Sequence, residues 1–334
     1  MKTTELEAYL NCCIAKRLQN SIMIWGASGL GKSSIVKQVA KENNLKFRDL
    51  RLSQILPSDL RGLPVADGGC SKWLPPNFLP HDCDEGILFL DEINMAPPAV
   101  QGVAQQLILD RCVGSYTVPE GWFIWAAGNR KEDRASVFDM PAPVANRFLH
   151  LQLEPDLDSF RAYALANNFN TEILAFLSFR PELLHKQSLQ PAWPSPRSWE
   201  MANTLYSAGL GITTAVGPST AAEFKAFLDE CKTIPDLSLI LEGKRDIILR
   251  TTEPSVKYAI AIGLAARAAD AEQAYNAFTW LNSTSATAEW MQLYAVNVFP
   301  LMKSKGQIGT LANLIHQDPS LREFLQNYQK LAGL

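Results

Sequence analysis

A glycine-rich segment between an apolar run and a helical stretch is the feature that most constrains the fold of this chain. The apolar run Ser21–Trp25 leads into GASGLGKS, and a helical pattern follows. This is G-x-x-x-x-G-K-[ST] in the strand–loop–helix context of a phosphate-binding loop. Its residues are Gly26, Ala27, Ser28, Gly29, Leu30, Gly31, Lys32 and Ser33. Glycines allow backbone amides to approach a phosphate, Lys32 would reach the β- and γ-phosphates, and Ser33 would bind Mg²⁺.

Two adjacent carboxylates follow a second apolar run. Ile87–Leu90 leads directly into Asp91 and Glu92, and parallel sheets bind ligands at the carboxyl ends of their strands. We expect Asp91 to hold Mg²⁺ through its water shell and Glu92 to polarise the water that attacks the γ-phosphate. Because strand ends are often acidic, this interpretation depends on the phosphate-binding loop.

A third apolar run, Trp122–Ala127, ends in Gly128-Asn129-Arg130. An amide at that strand end can orient the attacking water beside Glu92, and a simple turn asparagine is the alternative. The sequence therefore makes Asn129 a candidate catalytic residue.

Several arginines are candidates for contacts with a nucleotide. Arg147 precedes the last apolar run and suits an arginine finger that reaches a neighbouring subunit's γ-phosphate, whereas the alternative is a surface salt bridge. Arg130 and Arg134 compete for the same role. Arg197 lies at the second position of a helix that opens with Ser195-Pro196. The N-terminus of a helix carries a partial positive charge, which disfavours a cation there, so Arg197 indicates a nearby anion.

The pattern of runs predicts an α/β domain followed by helices. Five short apolar runs alternate with helical segments up to Leu153 and predict a largely parallel sheet. Beyond it, helix start signals lie at Asp156, Ser195 and Ser219. We expect an ATPase-type core at 1–153, a helical lid at 154–250 and a helical C-terminal region at 251–334. The runs are Ser21–Trp25, Phe47–Leu52, Ile87–Leu90, Trp122–Ala127 and Phe148–Leu153.

Composition excludes several classes of protein. The 334 residues carry 31 Lys and Arg against 34 Asp and Glu, a formal net charge of −3, and no long basic block, so a free-standing polyanion binder is disfavoured. No apolar stretch is long enough to span a membrane. The six cysteines and four histidines show no zinc spacing. Met1–Arg17 lacks an apolar signal region, which favours the cytoplasm and reduced thiols.

The ordered set of motifs resembles the AAA+ ATPases, and within them the MoxR-type group. The resemblance covers about residues 20–250. Its motifs are GASGLGKS (26–33) as Walker A, LFLDEIN (88–94) as Walker B, AAGNR (126–130) as sensor 1, ANRF (145–148) as the arginine-finger site and SPRSWE (195–200) as sensor 2. Arg-Leu-Ser (51–53) and the segment 59–64 are also similar to that group. From Thr251 onward the chain has no motif of the family.

The resemblance implies a fold and an assembly. It implies a five-stranded parallel sheet in the order 5-1-4-3-2, a helical lid, and a homo-oligomeric ring, a hexamer, with ATP bound between subunits. It also implies two hairpin inserts, which fit Val65–Pro80 and Asp110–Val118, with Gly68-Gly69 and Gly114-Ser115 as turn residues. ATP is expected because Asn129–Asp133 has arginine where the guanine motif N-K-x-D needs lysine.

The favoured function is Mg²⁺-dependent ATP hydrolysis that remodels or activates a protein partner. MoxR-type proteins commonly work with a von Willebrand A domain protein. That domain needs D-x-S-x-S, whereas Asp236-Leu237-Ser238 lacks the second serine, so it would be a separate chain. The alternatives are a motor acting on nucleic acid, of restriction, phage or helicase-loader type, and a nucleotide switch. Trp73 either contacts a substrate or packs on its own domain.

Charged residues make up only 19% of the chain, below the roughly 25% of an average soluble domain. Ala- and Leu-rich helices after Thr251 account for part of this. A subunit that buries surface against neighbours would also carry little charge, so we expect the C-terminal helices to be the first surface to test for a partner.

Overall fold

The structure is a computed structural model that describes residues 1–81, 84–133, 137–232, 234–244, 246–249, 253–284 and 288–332. The chain divides into two compact units. The first comprises Met1–Ser159 and Ser195–Arg197, and the second comprises Phe160–Pro194 and Ser198–Leu334. The expected division into 1–153, 154–250 and 251–334 stays a prediction.

The first unit contains a five-stranded parallel sheet, with every predicted run present as a strand. The neighbours in this sheet are β2-β5-β8-β1-β9. Counted along the chain, the five strands therefore stand in the order 5-1-4-3-2, and the predicted α/β fold is confirmed. The strands are β1 (Ser21–Trp25), β2 (Lys46–Arg51), β3 (Leu63–Asp67), β4 (Cys70–Leu74), β5 (Gly86–Asp91), β6 (Cys112–Val113), β7 (Tyr116–Thr117), β8 (Trp122–Gly128) and β9 (Phe148–Gln152).

Burial separates the central strands from the edge strands. Every residue of β5 and β8 is buried, whereas β2 and β9 at the edges are largely exposed. Apolar side chains on both faces of the central strands pack against helices, as in α/β proteins generally. The helices of the first unit that precede β9 are α1 (Thr3–Ala15), α2 (Lys32–Glu42), α3 (Pro57–Arg61), α4 (Pro98–Asp110) and α5 (Ala142–Ala145).

Both predicted inserts are antiparallel hairpins. β3 pairs with β4, and β6 pairs with β7. The turn between β3 and β4 is Gly68-Gly69, with φ of 57° and 84°, and Gly114 has a φ of 60° in the second turn. These left-handed conformations explain the glycines. Trp73 is half-buried, and its carbonyl accepts a hydrogen bond from Ser115 Oγ at 3.4 Å.

The chain after β9 is helical. The C-terminal helices bury a shared apolar core that includes Leu264, Phe278 and Tyr294. The helices are α6 (Leu157–Ala166), α7 (Thr171–Phe179), α8 (Pro196–Ser207), α9 (Thr213–Val216), α10 (Pro218–Cys231), α11 (Leu237–Leu241), α12 (Pro254–Arg267), α13 (Ala271–Ser283), α14 (Ala288–Ser304), α15 (Ile308–Gln317) and α16 (Pro319–Ala332).

The predicted helix starts are confirmed at two positions and wrong at one. Asp156 Oδ2 accepts a hydrogen bond from Ser159 N at 2.9 Å at the start of α6, and α8 begins at Pro196 directly after Ser195. The expected start at Ser219 is wrong, because α10 begins at Pro218 with Gly217 as its N-cap. Proline suits the first helical position, which has no intrahelical partner for an N–H.

In the described ranges, no helix is both long and apolar enough to cross a membrane. The cysteines there are free thiols, and Cys83 lies outside the described residues.

Candidate active site

The glycine-rich loop joins β1 to α2 and requires two left-handed backbone positions. Gly29 and Gly31 both have a φ of 82°, a conformation that glycine adopts at little cost. Gly31 is the N-cap of α2, so the first N–H groups of this helix face the loop. A Cβ on Gly29 would lie 2.8 Å from Ser195 Oγ. Glycine is therefore favoured at both positions, and at Gly29 a side chain would also collide with Ser195.

Lys32 is the first residue of α2, and its ammonium group turns back onto the loop. Nζ donates to Gly26 O at 2.7 Å, to Ala27 O at 3.1 Å and to Asn129 Oδ1 at 2.9 Å. The pKa of Lys32 is lowered to about 8, chiefly by burial; Asp91 and Asp133 oppose this lowering, and Arg197 and Arg130 contribute to it. An anion in the loop would favour the charged lysine.

Ser33 and Asp91 meet as the sequence predicts. Ser33 Oγ donates to Asp91 Oδ2 at 2.6 Å, and the other carboxylate oxygen of Asp91 accepts the N–H of Glu92 at 2.9 Å. Asp91 is only 9% exposed. The hydroxyl and the carboxylate thus converge at the carboxyl end of β5 beside the N-terminus of α2.

Glu92 has a left-handed backbone, with a φ of 55°. Its Oε2 accepts a hydrogen bond of 2.5 Å from Ser53 Oγ, in the turn after β2. A left-handed backbone at a non-glycine residue is uncommon and is often found where function fixes a side chain. Ser53 therefore holds the Glu92 carboxylate in one orientation.

The end of β2 adds further charge beside these carboxylates. Burial raises the pKa of Asp49, and the proximity of Asp91 and Glu92 raises it further, while Arg51 lowers it. Arg51 is the partner of Asp91 in the register of β2 and β5. The acidic strand end thus has a cation on the neighbouring strand.

Asn94 holds the backbone of Asn129 through two hydrogen bonds. Its Nδ2 donates to Asn129 O at 2.6 Å, and its Oδ1 accepts from Asn129 N at 3.2 Å. Asn94 is 3% exposed, and a Cβ on Gly128 would lie 2.5 Å from its Oδ1. This bidentate contact fixes the end of β8 and places the Asn129 side chain against Lys32.

The arginines differ in their surroundings. Arg130 forms a double contact with Asp133, with Nε–Oδ2 at 2.9 Å and Nη2–Oδ1 at 3.0 Å, so it is engaged within its own chain. Arg147 is exposed in the turn between α5 and β9, and its N–H donates to Val144 O at 3.1 Å. Arg134 lies outside the described residues.

Arg197 lies beside the glycine-rich loop. Its backbone N–H donates to Gly29 O at 3.2 Å, and its side chain is exposed. Ser195–Arg197 belongs to the first compact unit. The segment Ser195–Arg197 therefore contacts the glycine-rich loop directly through the Arg197 backbone.

The donor set suits a magnesium nucleotide. Mg²⁺ favours oxygen ligands and usually keeps several waters while it binds one or two protein oxygens and the phosphates. Ser33 Oγ and Asp91 Oδ2 are such oxygens, and they already lie 2.6 Å apart. No cluster of three or more His, Cys, Asp or Glu that could hold a metal ion occurs among the residues described.

Sequence reasoning missed the roles of Ser53 and Asn94. Both lie in segments already noted for their resemblance, Arg-Leu-Ser (51–53) and LFLDEIN (88–94). Their partners lie 39 and 35 residues away, so no local pattern reveals the contacts. The near-match Asp236-Leu237-Ser238 is a helix cap, because Asp236 Oδ1 accepts from Ser238 N at 2.9 Å.

The sheet order, the loop and the polar strand ends define a P-loop α/β unit. Residues 21–150 match AAA_3, described as the ATPase family associated with various cellular activities (AAA). This match spans nearly all of the five-stranded sheet and the glycine-rich loop, so this part of the chain is similar to the AAA ATPase family.

Other matches are partial or distant. The chain is 33% identical over 88 residues to the Holliday junction branch migration complex subunit RuvB of Rhodospirillum centenum, a match that covers 26% of this chain and only 20% of that relative. NtrX from Brucella abortus in complex with ADP has a TM-score of 0.40 at 17% identity, covering 90% of this chain and 68% of that one. A point mutant of RuvB from Thermotoga maritima has a TM-score of 0.40 at 15% identity, covering 79% of this chain and 81% of that one. These TM-scores are too low to carry an inference.

Proposed function

We propose that this chain is a Mg²⁺-dependent ATPase whose site lies at the carboxyl edge of the first unit's sheet. One observation carries the proposal. Ser33 Oγ lies 2.6 Å from Asp91 Oδ2, and Lys32 Nζ lies 2.9 Å from Asn129 Oδ1. Side chains from the end of β5, the residue after β8 and the first turn of α2 therefore converge where phosphates would bind. The AAA family match over residues 21–150 supports the same conclusion.

Each residue then has a distinct task. Lys32 and the N–H groups of the loop bind the phosphates, and Arg197 adds a cation at the loop. When held by Ser33 and Asp91, Mg²⁺ would neutralise developing phosphate charge. Glu92, oriented by Ser53, accepts the proton of the attacking water, and Asn129 orients that water. Asn94 keeps Asn129 in place.

Arg147 supports a site shared between subunits. It is exposed and lies in the turn between α5 and β9, which suits an arginine finger directed at a neighbour's nucleotide. Arg130 suits this role less well because Asp133 already binds it. We therefore propose a ring-shaped homo-oligomer, a hexamer of MoxR type, that remodels a protein partner together with a separate von Willebrand A domain protein.

A mixing experiment tests the shared site. Arg147→Ala should lower kcat by about 10³-fold, and Lys32→Ala should abolish ATP binding in the mutated subunit. Mixed rings should regain activity, because an Arg147→Ala subunit keeps its own loop and a Lys32→Ala neighbour supplies the arginine. If no mixing ratio restores hydrolysis although mixed rings form, the finger assignment is wrong.

The partial match to a Holliday junction branch migration subunit favours a second candidate, a motor that acts on nucleic acid. The net charge of −3 gives it no support. If the chain is such a motor, DNA should stimulate its ATP hydrolysis, and the stimulation should fall steeply as the salt concentration rises. Unchanged hydrolysis with duplex and branched DNA at low salt would remove this candidate.

A further inference from the structure

His150 uses both ring nitrogens to connect two segments of the first unit. Its Nδ1 accepts a hydrogen bond from Trp25 Nε1 at 2.8 Å, and its Nε2 donates to Ala145 O at 2.8 Å. An indole N–H can only donate and a carbonyl can only accept. The hydrogen-bond network therefore assigns the neutral tautomer with the proton on Nε2. The two ring planes are nearly parallel, at 14°, with their centroids 6.0 Å apart.

One of these segments leads into the glycine-rich loop. Trp25 is the last residue of β1, directly before Gly26. His150 pairs with Met23 in the register of β1 and β9, and Trp25 pairs with Gln152. Side chains alternate along a strand, so His150 and Trp25 lie on the same face as diagonal neighbours. A displacement of the end of β1 therefore moves the indole that binds His150.

The other segment carries Arg147. Ala145 is the last residue of α5, two positions before the arginine. The Arg147 N–H is bound by Val144 O at 3.1 Å, and Val144 is buried. Hydrogen bonds to two consecutive carbonyls, from Arg147 N and from His150, thus fix this turn. The direction in which Arg147 leaves the domain depends on both.

We propose that His150 is a positioning residue that couples the strand leading into the phosphate-binding loop to the turn that carries Arg147. This rests on the proposed function, because it requires Arg147 to act on a neighbour's nucleotide. The ring of His150 would then hold Arg147 in the direction that a neighbouring subunit's nucleotide requires. The ring of His150 bonds to Trp25 and Ala145 rather than to the loop itself, so its loss should affect turnover rather than ATP affinity.

The first test compares His150→Phe with Gln152→Ala, an exposed residue two positions along the same face of β9. His150→Phe should lower kcat at least about tenfold, since small misplacements of a reacting group cost this much or more. Its Kd for ATP should stay within about twofold of the wild-type value. Gln152→Ala should leave both values unchanged. A kcat for His150→Phe equal to that of this control would overturn the proposal.

Partial replacements locate the contact that matters. A glutamine amide reaches about as far as Nε2 and can donate to Ala145 O, whereas an asparagine amide reaches only about as far as Nδ1 and can accept from Trp25. His150→Gln should therefore recover more of the kcat than His150→Asn. Trp25→Phe should lower kcat less than His150→Phe, and the double variant should be no worse than His150→Phe alone, because the two residues act as a unit. Additive losses, or equal losses for Gln and Asn, would contradict coupling through this ring. These milder variants also carry the test if His150→Phe does not fold.

Mixing separates this proposal from the proposed function. Rings of His150→Phe and Lys32→Ala subunits should regain activity as the Arg147→Ala mixture does. If hydrolysis recovers in the Arg147→Ala mixture but not in the His150→Phe mixture, Arg147 keeps its assignment as the arginine finger and the role proposed for His150 is wrong. If unmixed Arg147→Ala rings are fully active, Arg147 is not an arginine finger, and the role proposed for His150 is excluded as well.

Discussion

The carboxyl edge of the sheet and the C-terminal helices bury polar groups in opposite ways. At the sheet edge, polar side chains bind each other across distant segments, as Ser33 does with Asp91 at 2.6 Å. In the C-terminal helices, the buried Tyr294 donates to a backbone carbonyl, Ala274 O at 3.1 Å, and burial raises its pKa. Ser33 and Asp91 thus satisfy each other at the sheet edge, whereas the backbone of a neighbouring helix satisfies Tyr294 in its apolar core.

The same comparison explains why the fraction of charged residues in the chain is low. The apolar residues of the C-terminal helices pack into their own core, around Phe278 and Tyr294. In the described chain, by contrast, Leu56, Leu63 and Leu74 beside the first hairpin are 64%, 66% and 46% exposed, and Leu63 pairs with Leu74 across β3 and β4. The thin charge after Thr251 is therefore explained largely by an internal core.

The largest expected effect is on stability in the second region. Phe278 is fully buried and contacts Tyr294 with ring centroids 4.6 Å apart. Phe278→Ala should lower the free energy of unfolding by about 3–5 kcal/mol, while ATP affinity per folded molecule should not change. Denaturant unfolding and nucleotide titration measure the two quantities. Leu189→Ala, at a side chain that is 90% exposed, is the matched control and should cost almost nothing. Weakened ATP binding by folded Phe278→Ala would break the contrast between the regions.

The next effect concerns Asn94 at the sheet edge. Asn94→Asp would direct a carboxylate oxygen at Asn129 O in place of the donor that binds it at 2.6 Å. We expect kcat to fall by about 10²-fold, because the Asn129 side chain loses its fixed position. Asn43→Asp, at a part-buried amide bound to Val39 O and Asn11, should have little effect on kcat. Wild-type turnover by folded Asn94→Asp would show that Asn129 needs no such support.

The smallest effect is on the pH dependence of nucleotide affinity. Burial lowers the pKa of Lys32 to about 8, and phosphate binds the charged form. Below pH 8 the affinity for ATP should be constant, and above it the affinity should fall by up to about tenfold per pH unit. Lys32→Arg stays charged in this range, so its profile should be flat even if its affinity is lower. An equal loss of affinity in Lys32→Arg above pH 8 would exclude Lys32 as the cause.

The sequence predicts more of the fold than of the site. Apolar runs locate all five strands of the sheet, and the resemblance implies their order. The runs and the motifs behind the resemblance are both short local patterns, so the sequence alone reveals them. The roles of Ser53, Asn94 and His150 depend on partners 39, 35 and 125 residues away, which no spacing reveals. Arg130 and Asp133 are visible in the near-match to a guanine motif, yet only the structure shows that they bind each other. The start of α10 differs because glycine and proline can open a helix without a side-chain cap.

The most direct test of the central claim is a comparison of ATP binding and hydrolysis by Glu92→Gln with the wild-type protein. The variant should bind Mg²⁺–ATP about as tightly as the wild type, because Lys32, Ser33 and Asp91 are unchanged. Its turnover should fall by about 10²–10⁴-fold, since glutamine cannot accept the proton of the attacking water. Hydrolysis at the wild-type rate by the folded variant would contradict the assignment of this site as an ATPase centre that depends on Glu92.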